Sequence, residues 1–188
     1  MMLVYDDAQV LDIAGPVQLL SSAIDPATGG PAYDVEIVAG ERGPVATTSG
    51  LVLCVARSIV DIAPEELEDI DTFLVTGGEG SRTAMEDERL LAFVRTASAR
   101  ASRTVPICTG SVILAAAGVL DGRRATTHWA YAPTMRKRFP KVSVEDDAIY
   151  IRDGNIWTSA GVTEGMDLAL ALIEAVLGRE MALTHARH

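Results

Sequence analysis

The sequence predicts an α/β fold in which a mainly parallel, twisted sheet is sandwiched by helices, with a small β-hairpin near residues 148–158. Short apolar runs alternate along the chain with segments that carry apolar residues at helical spacing, a pattern typical of parallel strands joined by helices. An apolar run that ends at Cys108 restarts directly as helix-forming residues. Two strand-like runs flank Asp153-Gly154, and that pair is a strong signal for a hairpin turn.

The first third of the chain predicts three strands and one helix. Residues 2–5 form an apolar run that suits a buried strand. Proline favours the first position of a helix, so we expect a helix to begin at Pro16. Residues 33–39 alternate apolar and acidic side chains, as a half-buried strand does, and residues 51–55 form a further strand.

The middle of the chain predicts two strands, each followed by a helix or a turn that could serve a site. Residues 65–69 are acidic and predict a solvated helical turn, and residues 72–75 form an apolar strand. Residues 87–100 carry acids early and arginines late, as the helix dipole favours. A strand then ends at Cys108, and its helix runs to near Gly118.

The last third predicts a strand, the hairpin and two helices. Residues 123–127 form the strand, and residues 130–139 form a short basic helix. Thr163 can cap a final helix over 164–177. That helix is apolar almost all round, so we expect deep burial, in part by a second subunit of a homodimer.

Composition limits the classes of function that fit the chain. With 188 residues, 48% of them hydrophobic and 22% charged, residues 1–188 are expected to fold as a single domain. The net charge of −10 argues against nucleic-acid binding by this segment and against an anionic membrane surface. No apolar run approaches the length of a membrane span. We therefore expect neither nucleic acid nor membrane as a direct partner.

The cellular compartment is predicted from the cysteines and the first residues. Cys54 and Cys108 are the two cysteines and lie far apart, so they do not form a disulfide framework. Cys54 lies within a predicted strand, where a cysteine usually serves as a small buried hydrophobe. Residues 1–7 lack the basic residues and long apolar stretch of a signal peptide. A reducing cytoplasm is the simplest setting.

Three features follow predicted strands and mark the candidate site: Asp12, the Gly77-Gly78 loop and Cys108. Ligands bind beyond the carboxyl ends of strands in open parallel sheets, so these features are expected to converge. Local alternatives remain for two of them. Asp12, placed in the connection before the helix, suits a cap or a surface turn equally, and a glycine-rich loop suits a flexible turn.

The residue types at this edge suit cysteine chemistry. A thiol at a helix N-terminus lies near free N–H groups and the positive end of the dipole, which favour a thiolate at Cys108. The N–H groups of Gly78 and Thr109 are candidate donors for developing negative charge. The proton carrier is either Asp12 or His128, although His128 also suits a structural hydrogen bond. No metal and no cofactor are expected.

Four stretches of the chain carry a resemblance to a known family. They are LDIAGP at 11–16, FLVTGGEG at 73–80, VPICTGSVILAAAGVLDGRRATTHW at 105–129 and IRDGNIWTSAGVTEGMDLALAL at 151–172. Over essentially its whole length the sequence resembles the ThiJ/PfpI superfamily, which is class I glutamine amidotransferase-like. The resemblance implies a flavodoxin-like sheet, a nucleophile elbow at the cysteine, a small-molecule ligand or substrate, and a homodimer.

Within that superfamily the sequence is similar to two groups. One is the amidotransferase-like sensor domain of AraC-family transcriptional regulators, and the other is the isonitrile hydratases, which add water to an isocyanide to give an N-substituted formamide. The hydratase resemblance implies that Cys108 is the nucleophile, Asp12 the acid/base partner and Thr109 a neighbour that shapes the site. Gly77, Gly78, Thr109 and Trp129 are the expected ligand contacts.

The final stretch, 157–183, looks more like the regulators, so the sequence favours a sensor domain in transcription regulation over a lyase of the hydratase type. The PfpI-type proteases carry a histidine directly after the nucleophile, and Thr109 stands there instead, which argues against a Cys-His protease or amidotransferase. The chain stops at His188 without a helix-turn-helix segment, so DNA contact would belong to another domain or partner. A redox role through oxidation of Cys108 is a third possibility.

Overall fold

A seven-stranded sheet separates two helical layers. The computed structural model of the protein describes residues 1–187. Its strands are β1 Met2–Val4, β2 Ile37–Ala39, β3 Gly43–Ala46, β4 Val52–Val55, β5 Arg57–Ser58, β6 Thr72–Val75, β7 Arg103–Pro106, β8 Arg124–Ala125, β9 Ser143–Val144, β10 Tyr150–Asp153 and β11 Ile156–Ser159. The order across the sheet is β10-β11-β7-β6-β1-β2-β5, and only β10 and β11 pair antiparallel. The predicted α/β fold with a mainly parallel sheet is confirmed.

The helices connect these strands and cover both faces of the sheet. They are α1 Val10–Ser22, α2 Ser81–Ala84, α3 Glu88–Arg100, α4 Gly110–Ala116, α5 Ala132–Arg138, α6 Val162–Leu177 and α7 Arg179–His185. Single 3₁₀ turns occur at Ile59–Asp61, Glu66–Asp69 and Trp129–Tyr131. None of the helices in residues 1–187 has the length and apolar character needed to cross a membrane.

The hydrophobic core consists of two clusters, one on each face of the sheet. Successive residues of a strand point to opposite faces, so in β6 Phe73 joins one cluster and Leu74 the other. The first cluster packs β6 against α3 and α4, with Val94 and Ile113 fully buried. The second packs the sheet against α1 and α6, with Leu168 fully buried. The carboxyl end of the sheet thus lies between two firmly held layers.

The first helix begins earlier than expected, and this moves Asp12 from a loop into a helix. The prediction that the helix begins at Pro16 was wrong, since α1 starts at Val10 and carries Pro16 in its interior. An interior proline removes a backbone hydrogen bond at a cost of about 3 kcal/mol. Ile13, Pro16 and Leu20 are buried along one side of α1, and this packing outweighs the local preference.

Two predicted strands lie outside the main sheet. The strand expected over 123–127 is reduced to β8, which pairs with β9 outside the main sheet. The segment 51–55 forms β4, paired with β3 in a separate two-stranded sheet. Cys54 is exposed there, so the interpretation as a buried hydrophobe was wrong. An isolated two-stranded sheet leaves one of its faces in solvent.

The hairpin near 148–158 is confirmed. Tyr150 pairs with Ser159 and Asp153 with Ile156, and Gly154 adopts φ 61° in the turn. At the final helix, Thr163 is not the cap. The cap position belongs to Gly161, and the Thr163 hydroxyl donates to Glu164 Oε2 at 3.0 Å.

Candidate active site

The candidate site forms where three neighbouring parallel strands, β1, β6 and β7, end at the same edge of the sheet. The segments after these strands carry Asp12, the Gly77-Gly78 loop and Cys108 respectively. A cleft of about 290 Å³ opens there, lined by Gln9, Thr48, Gly78, Glu79, Cys108, Thr109, His128 and Tyr131. Asp12 lies buried next to the cleft, and Gly77, expected as a ligand contact, does not line it. The sequence-predicted residues around Cys108 are therefore close in space, as the carboxyl-end rule suggests.

Cys108 occupies a sharp turn between β7 and α4. Its φ of 53° lies in the left-handed region, which non-glycine residues adopt at an energetic cost and mostly at functional positions. Its carbonyl accepts a hydrogen bond from the Ser111 hydroxyl at 2.9 Å. A β-carbon at Gly110 would lie 2.3 Å from the Val75 carbonyl oxygen, so only glycine fits two places after the cysteine. The turn thus presents Cys108 at the end of the sheet.

Asp12 and Cys108 approach one another across Gly77. A β-carbon at Gly77 would lie 2.6 Å from Asp12 Oδ2 and 2.8 Å from Cys108 Cβ. Asp12 lies in the first turn of α1 and is fully buried. Within the described residues, neither of its carboxyl oxygens has a hydrogen-bond partner of normal geometry. The carboxyl group is therefore held beside the thiol with its oxygens free to exchange a proton.

Burial controls the protonation of this pair. Desolvation raises the pKa of Asp12 to about 7, against the lowering effects of the nearby Cys108 thiol and Gly77 amide, while the Glu164 charge raises it further. Desolvation and then the Asp12 charge raise the pKa of Cys108 to about 12, although the Thr109 amide and hydroxyl act to lower it. Two groups this close titrate as a pair.

The expectation of a Cys108 thiolate at a helix N-terminus does not fit this environment. The helix that follows, α4, has only seven residues, and the thiol is buried beside a carboxyl group. Burial in low dielectric and a neighbouring negative charge both disfavour a second negative charge. A neutral thiol whose proton Asp12 can accept describes the resting site better.

Thr109 joins the two loops of the site. Its hydroxyl accepts a hydrogen bond from the Gly78 N–H at 2.9 Å and donates to the Gly78 carbonyl at 3.0 Å. Both polar groups of Gly78 are therefore engaged, and its N–H, expected as a donor for developing negative charge, is occupied in this structure. Gly78 itself adopts φ 134°, with a β-carbon position 2.5 Å from the Asp7 carbonyl. The loop is a close backbone approach rather than a flexible turn.

His128 lines the far side of the cleft and is half-buried. Its Nδ1 accepts a hydrogen bond from the Ala130 N–H at 3.3 Å, which leaves Nε2 to carry the proton of the neutral ring. Trp129 points elsewhere. It is 74% exposed and borders another cavity, of about 380 Å³, that includes His128 and Glu164 but not Cys108. The structure does not bring Trp129 into the cleft.

Sequence reasoning missed several residues of the site. Gln9, Thr48, Glu79 and Tyr131 line the cleft, and Tyr5 lies behind it. The Tyr5 hydroxyl donates to the Thr76 carbonyl at 2.6 Å, and burial holds the pKa of Tyr5 well above its usual range. Tyr131 stands three residues after His128, a weak signal. Thr48 lies in a loop that carries no signal at all.

Within residues 1–187, no group of three or more His, Cys, Asp or Glu side chains is arranged to hold a metal ion.

Comparisons with known proteins match most of the chain. The DJ-1/PfpI family model matches residues 1–175. The chain is 37% identical over 183 residues to isonitrile hydratase from Pseudomonas putida, covering 96% of this chain and 72% of that protein. It is 35% identical over 151 residues to the HTH-type transcriptional regulator CdhR from Pseudomonas aeruginosa, covering 80% of this chain and 43% of the regulator.

Solved structures agree with the fold. A ThiJ/PfpI family protein from Pseudomonas syringae superposes with a TM-score of 0.84 at 30% identity, covering 98% of this chain and 71% of that one. An AraC family transcriptional regulator from Pseudomonas putida gives a TM-score of 0.84 at 18% identity, covering 99% of this chain and 96% of that one. The second likeness concerns the fold alone.

Proposed function

Because the chain belongs to the DJ-1/PfpI family, we propose that it hydrates isonitriles, with Cys108 as nucleophile and Asp12 as proton carrier. The family match confirms the ThiJ/PfpI resemblance of the sequence. Relatives include both an isonitrile hydratase and transcriptional regulators, so membership alone does not choose between them. One observation supports the hydratase proposal: a buried carboxyl without a hydrogen-bond partner of normal geometry lies beside the thiol across Gly77.

Asp12 rather than His128 is the proton carrier in this proposal. Asp12 Oδ2 and Cys108 Cβ flank the same glycine, whereas His128 lies across the cleft with Nδ1 engaged by Ala130. A pKa of about 7 for Asp12 lets the carboxyl both accept and return a proton near neutral pH.

The proposed reaction balances with water as the only co-substrate. As the Cys108 sulfur bonds to the terminal carbon of the isonitrile, the Asp12 carboxylate takes the thiol proton and delivers it to that carbon, giving a thioimidate. Water then adds to the same carbon, and one of its protons passes through Asp12 to the nitrogen. Finally the carbon–sulfur bond breaks, and the hydroxyl proton returns through Asp12 to sulfur. The product is the N-substituted formamide, and the thiol is regenerated.

The direct test is product formation from benzyl isocyanide, followed as N-benzylformamide by liquid chromatography. We expect turnover by the wild-type protein, none by Cys108→Ala, and a loss of about 10² to 10⁴ in Asp12→Asn. Cys54→Ser is the matched control, since Cys54 is an exposed cysteine in the β3–β4 sheet, and it should keep full activity. Undiminished turnover by Cys108→Ala contradicts the proposal.

A sensor domain is the second candidate, and the regulator match over 80% of this chain supports it. In that case the cleft at Cys108 binds a metabolite without converting it. No formamide from a panel of alkyl and aryl isonitriles, together with saturable binding of an unchanged compound by calorimetry, favours the sensor. Steady turnover favours the enzyme.

A further inference from the structure

A second cavity adjoins the cleft that contains Cys108. Its volume is about 470 Å³, and it is lined by Glu79, Ser81, Arg82, Met85, Val112, His128, Ala130, Tyr131, Thr134 and Arg138. Glu79, His128 and Tyr131 line both this cavity and the cleft. Small-molecule sites commonly have volumes of about 300–1,000 Å³, so the second cavity has room for a ring-sized group attached to a molecule that reacts at Cys108.

Part of the cavity lining is apolar, and one lining residue carries an unsatisfied hydroxyl. Met85 and Val112 supply apolar surface. Ser81 is fully buried, and within the described residues its hydroxyl has no hydrogen-bond partner. A buried hydroxyl without a partner is energetically unfavourable. An acceptor atom on a bound ligand would remove that penalty.

Two arginines supply guanidinium donors to the cavity lining in a protein whose net charge is −10. Arg82 Nε donates to the Tyr131 hydroxyl at 2.8 Å, and Arg82 Nη2 lies 3.4 Å from Glu79 Oε2. Arg138 pairs with Glu86 through Nη2. A guanidinium has five N–H donors, so each arginine retains donors beyond these bonds. Glu79 is the one acidic residue among those that line the cavity.

We infer that this second cavity holds the substituent on the isonitrile nitrogen and selects a substituent with an apolar body that ends in a carboxylate. The inference rests on the proposed function and extends it to a substrate class. Apolar walls accept the body, and the guanidinium groups of Arg82 and Arg138 supply donors for a carboxylate end. Arg82 also holds Tyr131 at the boundary between the two cavities, which links recognition of the substituent to the shape of the cleft.

The test compares two isonitriles of one shape, 4-(isocyanomethyl)benzoate and 4-methylbenzyl isocyanide, whose carboxylate and methyl groups occupy the same position. We expect kcat/KM of the wild-type protein to favour the carboxylate about tenfold, the size of one charge-assisted hydrogen bond. Arg82→Gln and Arg138→Gln should each lower that ratio several-fold. Added salt should lower it too, because it screens partly exposed charges.

Arg95→Gln is the matched control. Arg95 is an exposed arginine of α3 that pairs with Glu88 and lines neither cavity, so its loss should leave the ratio unchanged. Equal kcat/KM for both isonitriles, or an unchanged ratio in Arg82→Gln and Arg138→Gln, overturns the inference while the proposed hydration stands. Absence of turnover with either compound overturns the proposed function and this inference with it.

Discussion

The pairing of Asp12 with Cys108 places two acids in a space with almost no solvent. The Asp12 charge raises the pKa of the Cys108 thiol, because a second negative charge in low dielectric is strongly unfavourable, whereas the nearby thiol lowers the pKa of Asp12 by less than burial raises it. The working state of the proposed enzyme therefore contains one proton shared by the pair. The pair holds one proton whether that proton is bound to the Cys108 sulfur or to an Asp12 oxygen, so the pair behaves as one titrating unit.

The pH dependence of kcat/KM should report this shared proton. Below the apparent pKa of Asp12, about 7, both groups are protonated and no base receives the thiol proton. We expect kcat/KM for an uncharged isonitrile to rise with pH through that region and then level off. The Glu164 charge raises the pKa of Asp12, so Glu164→Gln should move the rise to lower pH, whereas Cys54→Ser should not move it. A flat profile from pH 5.5 to 8.5 contradicts the shared-proton state.

The same pKa makes a prediction about stability. The folded-state pKa of Asp12 is about 7 against an ordinary 3.8, so between those values the unfolded state binds fewer protons than the folded state. The contribution of Asp12 to the free energy of unfolding therefore falls as pH rises from about 4 to 7, by at most about 1.4 kcal/mol per pH unit. Above pH 7 the decrease is complete.

Urea unfolding of wild-type and Asp12→Asn proteins from pH 4 to 8 measures this effect. The difference in the free energy of unfolding should shift in favour of Asp12→Asn as pH rises to about 7 and then stay constant. Only the change with pH matters, since the amide itself alters local bonding. A difference that is independent of pH contradicts the raised pKa.

At the residue scale, the sequence predicted that Cys108, Asp12, Gly77 and Thr109 lie close together, because each residue follows a predicted strand or adjoins one that does. It did not predict their protonation. The thiolate expected at Cys108 depended on a local helix terminus, whereas burial beside Asp12 depends on how α1 packs, which is not a local property. Glu79 and Tyr131 were not predicted as site residues for the same reason, since their position in the cleft depends on packing between distant segments.

Glycines allow the elements that form the site to approach one another closely. Gly77 separates Asp12 from Cys108, and Gly110 lets α4 start directly against the β6 backbone. The sequence left the glycine loop open between a flexible turn and a close approach. The distances decide for the close approach, at least at Gly77 and Gly78. By contrast, the start of α1 was predicted wrongly. The prediction followed the preference of proline for the first helical position, whereas Ile13, Pro16 and Leu20 share one buried side of a helix that begins earlier.

Gly77→Ala should disable the site. The added methyl group would lie 2.6 Å from Asp12 Oδ2, 2.8 Å from Cys108 Cβ and 2.9 Å from the Ile107 carbonyl oxygen, so the two side chains and the adjoining backbone must move apart. Displacement of reacting groups by about 1 Å can lower rates about a hundredfold, and we expect a loss in kcat of that size. Gly30→Ala, whose nearest neighbour would be Thr28 Oγ1 at 3.7 Å, is the control. Equal activity of the two variants contradicts the assigned role of Gly77.

For the whole molecule, the alternation of strands and helices was enough to predict a parallel sheet with helices on both faces. The small sheets β3–β4 and β8–β9 were harder to predict from the sequence, since a strand of two to four residues leaves little pattern in it. Two core clusters cover opposite faces of one sheet, and the expectation that residues 1–188 fold as a single domain stays a prediction.

The assembly of the protein stays a prediction. We expect a homodimer, as the apolar helix α6 and the family resemblance suggest. Val176 of α6 is 44% exposed in a single chain. Light scattering coupled to size exclusion should give twice the chain mass of 19.9 kDa at micromolar concentration. A mass of one chain across the accessible concentration range contradicts this expectation.

Trapping the covalent intermediate tests the central claim most directly. Wild-type protein mixed with benzyl isocyanide and quenched with acid within milliseconds to seconds should contain a species heavier by one isonitrile, mapped by peptide mass spectrometry to Cys108. That species should disappear at the rate at which N-benzylformamide forms, and it should be missing from Cys108→Ala and retained in Cys54→Ser. Formamide produced without any adduct on Cys108, or produced equally by Cys108→Ala, contradicts the mechanism.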